Sequence, residues 1–184
     1  MDTQLSVESP HTRFADSYRS LVREFINCGE PLVPWVLGLP CEDFDALVGQ
    51  LAAAARGDGI PAGFVPHSTY WLISNGEVVG VANLRHSLTA SLRVEGGHIG
   101  YGIRPSARGK GYATELLRRT LKMARELGIE EAWLTCGRDN LASARVINKN
   151  GGKLESEEYL EKQGFVIQRY RIPLLGSQCA KVRG

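Results

Sequence analysis

His98-Ile-Gly-Tyr-Gly-Ile-Arg-Pro-Ser-Ala-Arg-Gly-Lys-Gly-Tyr-Ala-Thr114 passes from one local pattern to another without a gap. His98 to Ile103 reads as a strand. Arg108 to Gly111 is a Gly-rich loop. A helix follows, in which Ala113, Leu116, Leu117, Thr120, Leu121, Ala124 and Leu127 share one face, and Gly128 closes it as a C-terminal cap. At such a strand-loop-helix junction, backbone N–H groups and the helix dipole converge on an anion. Gly109 and Gly111 reach backbone conformations closed to other residues and let phosphate oxygens approach the amides, while Arg108 and Lys110 add positive charge. Taken alone, the loop also reads as a Gly-containing turn that starts a helix.

Three phosphate ligands compete for it. A nucleotide P-loop needs Gly-Lys followed by Ser or Thr, but Lys110 precedes Gly111, so the magnesium ligand is missing. A dinucleotide fold needs G-x-G-x-x-G, and Thr114 stands where the third Gly belongs. The pyrophosphate of coenzyme A is the reading that is left.

The loop then resembles the GNAT superfamily of N-acetyltransferases, whose Q/R-x-x-G-x-G/A signature is met by Arg108, Gly111 and Ala113. The preceding His98 to Pro105 is similar to that family's fourth strand, especially the version in ribosomal-protein N-terminal acetyltransferases. Asn140-Leu-Ala-Ser143, followed by Val146, Lys149 and Gly151, is similar to the helix these enzymes place beside the pantetheine arm. The whole pattern also looks like a group of bacterial predicted acetyltransferases, and it covers Thr69 to Ile172 well and the first 65 residues by element order.

Working outward, the elements fit one domain over residues 1–184, with a core over 69–172 and a loose tail at 176–184. A short strand is expected near Leu5 to Glu8. Phe14, Tyr18, Leu21, Val22 and Phe25 recur at helical spacing, and a second helix is expected from Glu42 to Arg56. Ser68 to Ile73 and Val78 to Leu84 flank Asn75-Gly76, a strong hairpin signal. Beyond the loop and its helix come a strand at Glu131 to Cys136, a helix from Leu141 to Lys149 opened by Asn140, and a closing hairpin from Lys153 to Ile172. The class is α/β in the α+β sense: a GNAT-like mixed, mostly antiparallel central sheet flanked by helices on both faces.

The resemblance implies acetyl-CoA as co-substrate and assigns roles. Backbone N–H groups near Tyr101 to Ile103 hold the negative charge that develops on the thioester carbonyl, and Ile103 and Arg104 pair with pantetheine like an added strand. Arg108, Gly109, Lys110, Gly111, Tyr112, Ala113 and Thr114 hold the pyrophosphate, while Asn140 and Ser143 contact pantetheine or the departing sulfur. An amine with pKa near about 10 is roughly one part in a thousand neutral at pH 7, a penalty of about 4 kcal/mol that a general base relieves in part. His98 stands where related enzymes carry a glutamate, so it is the favoured base, with a structural histidine as the other reading; Glu95 is a second candidate. Many GNAT enzymes carry a tyrosine as general acid where this chain has Ile147, which leaves water, Tyr101 or Tyr159. That departure motivates an alternative, a catalytically silent CoA-binding sensor. An NAD-dependent enzyme rests on the glycine loop alone.

The acceptor is a primary amine of a small molecule or peptide, and its site is expected from the first two helices and the loops at Pro31 to Cys41 and His86 to Glu95. Glu42, Asp43 and Asp45 either attract a cationic amine or complement a helix dipole. The chain's 22 basic and 20 acidic residues are scattered, which gives no support to nucleic-acid binding. No apolar run spans a bilayer and no leader pattern precedes Pro10, so the expected location is cytoplasmic, with no membrane partner. Cys28, Cys41, Cys136 and Cys179 lack metal or redox spacing, so no metal site is expected. A homodimer is among the assemblies the sequence allows.

Overall fold

A computed structural model describes residues 5–174; the expected tail and Cys179 lie outside them. The strands are β1 (Leu5–Glu8), β2 (His67–Ser74), β3 (Glu77–Arg85), β4 (Ile99–Ile103), β5 (Glu131–Gly137), β6 (Lys153–Leu160) and β7 (Phe165–Pro173). The helices are α1 (Ala15–Asn27), α2 (Phe44–Arg56), α3 (Ala90–Val94), α4 (Tyr112–Glu126) and α5 (Leu141–Lys149).

Local chemistry sets most of these boundaries. Asp43 accepts a hydrogen bond from the Ala46 N–H (2.9 Å) at the start of α2, and Gly57 ends that helix at φ 84°. Asn75 and Gly76 turn the β2–β3 hairpin with φ of 51° and 81°, both in the left-handed region that this two-residue turn demands. At the end of α4, Gly128 N–H donates to Arg125 O (2.9 Å) and Ile129 N–H to Ala124 O (3.1 Å), which closes the last turn. Leu127 therefore falls beyond the helix and is exposed, not on the buried face where its spacing suggested.

The sheet is built in two pieces, β1-β2-β3-β4 and β5-β7-β6, whose ladders are antiparallel. The alternation of side chains along β2 sends Trp71 and Ile73 to one face and Leu72 to the other. On the first face α1 and α2 pack Tyr18, Leu21, Phe44 and Leu47 around Trp71, whose ring centroid is 4.9 Å from that of Tyr18. On the second face Leu116 of α4 meets Leu72, Val79 and Ile103. Leu117 and Leu121 join Leu134, Ile147 and Tyr170, so α4 spans the seam between the two pieces. At that seam His98 N–H donates to Trp133 O (2.7 Å), beyond which β4 and β5 share no ladder.

Two glycines of β4 let the chain cross its face. A Cβ at Gly102 would lie 2.0 Å from Val33 O, and one at Gly100 would lie 3.3 Å from Pro34 Cβ. The segment between α1 and α2 therefore lies directly on the strand that the sequence marks as functional.

Candidate active site

Just past β4, Arg104 N–H donates to Val79 O at 3.0 Å and continues its pairing with β3. The antiparallel alternation then turns Gly102 and Arg104 toward β3 and leaves the N–H groups of Tyr101 and Ile103 on the opposite edge, facing the seam. Arg104 was expected to pair with a cofactor arm through its backbone, but that amide is already in the ladder. Its guanidinium is buried as well, bonded through Nε to Glu24 Oε1 (2.8 Å) and through Nη2 to Glu24 and to Ser20 Oγ (2.9 Å). Arg104 is a brace between β4 and α1.

Arg108 is similarly committed. Its Nη1 and Nη2 each donate to a Glu30 oxygen at 2.7 Å, its Nε donates to Ile103 O (3.1 Å), and its charge lies 5.4 Å from the ring centroid of Phe25. Hydrogen bonding to Glu30 raises the Arg108 pKa further. The side chain thus fixes the loop's position against β4 and α1, where a direct phosphate contact was expected from it.

The rest of the loop is open. Gly109 and Gly111 have φ of 77° and 80°, and a Cβ on either meets nothing within 4 Å, so protein packing does not explain them. Gly111 caps α4 with no side-chain hydrogen bond, and the first intrahelical bond there is Glu115 N–H to Gly111 O (3.2 Å). The amides of Tyr112, Ala113 and Thr114 are left at the positive end of the dipole. Lys110 is exposed beside them. Tyr112 hydroxyl lies 3.0 Å from Ser74 Oγ, and the Thr114 carbonyl accepts from Asn150 Nδ2 (3.2 Å), so both ends of this first turn are anchored. A cup of uncapped helix amides flanked by two glycines fits a pyrophosphate.

Across the seam, Asn140 caps α5 by accepting from Ser143 N–H (3.0 Å), which spends its side-chain oxygen on the helix. Ser143 Oγ lies 2.8 Å from the Tyr101 hydroxyl. Burial raises the Tyr101 pKa above its ordinary value, so the phenol is protonated at neutral pH. Ile147 is fully buried in the core with Leu117 and Leu134, and Tyr159 is exposed on β6. Of the two tyrosines, Tyr101 and Tyr159, it is Tyr101 whose hydroxyl lies at the seam, beside Ser143.

His98 is buried and its Nδ1 accepts the Trp133 backbone N–H at 2.9 Å. A neutral ring then carries its hydrogen on Nε2 and has no free lone pair to take a proton. Burial, with the charges of Arg93 and Arg85 adding to it, pushes the His98 pKa down to about 4. Both facts run against the base role expected of it and match a histidine that joins the two sheets. Glu95 is exposed and accepts from Gln163 Nε2 (3.1 Å).

A cavity of about 380 Å³ opens beside the start of β4, lined in part by Trp35, Phe64, His67, Arg85 and Leu92. The expected loops contribute Trp35, Ser91 and Leu92, whereas α1 and α2 contribute none of its walls. Sequence reasoning missed Arg85, His67 and the 63–65 loop. His67 and Arg85 lie one residue outside the two expected hairpin strands, and they face one another in the ladder. Among the described residues no group of three His, Cys, Asp or Glu is placed to hold a metal, and no helix is long and apolar enough to cross a membrane.

The acetyltransferase (GNAT) domain family matches residues 34–153, so it begins well before the stretch where sequence resemblance was clear. A search among curated proteins gives no match. Solved structures share the fold at low identity. One is the microcin C7 self-immunity acetyltransferase MccE in complex with acetyl-CoA and AMP, at 15% identity and TM-score 0.68, covering 94% of this chain and 93% of that one. Another is RimL, a ribosomal alpha-N-protein acetyltransferase in complex with coenzyme A, at 20% and 0.68, covering 94% and 95%. A third is yncA of Salmonella typhimurium, a putative acetyltransferase with its cofactor acetyl-CoA, at 15% and 0.60, covering 97% and 99%. With the family model matched over most of this chain, the chain belongs to the GNAT acetyltransferase family and is an acetyl-CoA-dependent acetyltransferase.

Proposed function

We propose that this enzyme transfers acetyl to a primary amine of a small molecule or peptide, by direct attack while donor and acceptor are bound together. The observation that carries this reading is the edge of β4 turned away from β3, with the N–H groups of Tyr101 and Ile103 on it, followed across a short turn and the glycine loop by the amide cup at the start of α4. Acetyl-CoA supplies the activated thioester.

On this reading Gly109 to Thr114 bind the pyrophosphate through their amides, and Lys110 adds charge at the rim. The Ile103 and Tyr101 amides hold the arm and polarise the carbonyl oxygen, on which charge grows as the amine nitrogen attacks. Tyr101 donates a hydrogen bond to the sulfur as the carbon–sulfur bond breaks, Ser143 keeps that hydroxyl aimed, and the thiolate leaves as such and takes its proton from water. A thiol pKa near about 8.5 makes the thiolate a good leaving group, so a hydrogen bond from a phenol that keeps its own proton suffices. Neither His98 nor His67 has a free lone pair on Nδ1, so the amine's proton leaves through water.

Thiol release from acetyl-CoA across a broad panel of amines tests this. Turnover on at least one primary amine, with both substrates required before any thiol appears, is the expected result. Tight CoA binding with no turnover on any amine would instead mark a CoA-binding sensor.

A further inference from the structure

The cavity at the start of β4 has walls of one electrical character. Trp35 stands edge-to-face against Phe64 (centroids 5.3 Å apart, 65°) and against His67 (5.2 Å, 77°), which makes a flat apolar slot. Trp35 Nε1–H donates to Asn83 Oδ1 at 3.3 Å. An indole N–H can only donate, so it fixes the Asn83 amide with its oxygen toward Trp35. The Asn83 NH₂ group then donates to His67 Nδ1 (2.9 Å) and to Thr69 Oγ1 (3.2 Å). His67, held neutral by burial, keeps its remaining hydrogen on Nε2 and offers a ligand a donor.

Arg85 supplies the charge. Its hydrogen bonds to the protein leave from Nη1, to Gly96 O (3.2 Å) and Gly97 O (2.9 Å). Among the described residues no carboxylate lies within 4.0 Å of it, although Arg104, Arg108, Arg169 and Arg171 all have one. A half-buried guanidinium without a counter-charge is costly, and a ligand anion would offset that cost. No carboxylate is among the lining residues, so an ammonium would find no counter-charge here.

The slot also lies where an acceptor would enter. Arg85 N–H donates to His98 O (2.8 Å), and Asn83 faces Gly100 in the ladder, so the cavity adjoins the start of β4. The amide cup lies past the other end of that strand. We propose that this slot holds the body of the acceptor, and that this body is a flat apolar group bearing a carboxylate or phosphate that pairs with Arg85. This rests on the reading of the chain as an amine acetyltransferase.

Two matched pairs of probes test it by calorimetry without acetyl-CoA: phenylalanine against phenethylamine, and AMP against adenosine. The anionic member of at least one pair is expected to bind about tenfold tighter or more, the scale of one charge-assisted bidentate contact. The pair that shows it tells carboxylate from phosphate. That preference is expected to vanish in R85Q and to persist in R85K, with CoA affinity unchanged in both as the check on folding. Phe64→Ala should weaken both members of a pair alike. No anion preference in either pair, no binding of any probe, or a preference untouched in R85Q overturns the inference. Thiol release with the same amines separates the two readings. Turnover of neutral-bodied amines without anion preference leaves acetyl transfer standing and removes the slot's role, whereas Arg85-dependent anion binding with no turnover on any amine supports the slot and counts against transfer.

Discussion

Trp133 gives its backbone N–H to Nδ1 of His98 at 2.9 Å, and His98 returns its own N–H to Trp133 O at 2.7 Å. These two bonds pin β4 to β5 at one end and let the strands part beyond it. A histidine so placed is a joint between sheets.

His98→Asn keeps an acceptor for the Trp133 amide, so turnover per folded enzyme is expected within about threefold of the parent from pH 6 to 9, against the roughly hundredfold or greater loss typical of a missing general base. Stability should respond to pH instead. The folded pKa of about 4 lies below the unfolded value, so the unfolded chain binds the proton first. The His98 contribution is complete above about pH 6.5 and is lost as pH falls toward 4, on the order of 3 kcal/mol in all. Denaturant titrations at pH 7, 6 and 5 should show a shallower decline in His98→Asn. The buried His67 and His86, lowered in the same direction, remain in both proteins and cancel in the comparison.

Arg104 and Glu24 lie 80 residues apart in sequence and meet beneath the loop. Glu24→Gln leaves a buried guanidinium short of its counter-charge. A loss of about 2–3 kcal/mol is expected, tempered by Glu77 at 3.7 Å and by the partial exposure of Glu24. The double change Glu24→Leu with Arg104→Met should recover most of it, since an apolar pair of similar volume removes the charge that needed a partner. Chemical denaturation of the three variants measures both effects.

Tyr101→Phe removes the hydroxyl that meets Ser143 and leaves the backbone edge intact. The expected outcome is a fall in kcat of about 10- to 100-fold with CoA affinity little changed. Ser143→Ala frees the phenol without deleting it and should cost less. Steady-state thiol release beside CoA calorimetry distinguishes the two.

Gly111 sits at φ 80° in open space. Gly111→Ala should cost about 1–2 kcal/mol of stability from the left-handed backbone alone. Gly111→Glu costs a similar amount in stability but also places a carboxylate in the proposed pyrophosphate cup, so CoA binding should be abolished. Parallel measurements of melting and CoA affinity separate strain from charge.

Features that depend on neighbours in sequence are legible in the sequence itself: the Asn75-Gly76 turn, the buried stripe of α4 and the Asn140 cap of α5 all follow from a few adjacent residues. Five residues are too few to show a period, so α3 carries no such signal, and only Thr89, which caps it through Leu92 N–H (3.2 Å), leaves a trace. A cation in a phosphate loop suggests a ligand contact, which is why Arg108 looks like a cofactor residue in one dimension, while Arg104 looks like one because the family's fourth strand pairs with pantetheine there. Their partners Glu24 and Glu30 come from a helix and loop that spacing alone cannot bring near. The slot is assembled from Trp35, Phe64 and Arg85, three segments with no common pattern, so only the fold brings them together.

The bare face of β4 at Gly100 and Gly102 sets a rule for remodelling this enzyme. Val33 and Pro34 occupy the volume that side chains would fill there, so the chain leading to Trp35 is laid in a groove two residues long. Exchanging that segment for one from a relative transplants Trp35 correctly only if both glycines travel with it. A larger residue at Gly102 would lift the segment outright and one at Gly100 would press on it, so on the proposed reading donor strand and acceptor wall would be spoiled together and are inherited as one piece.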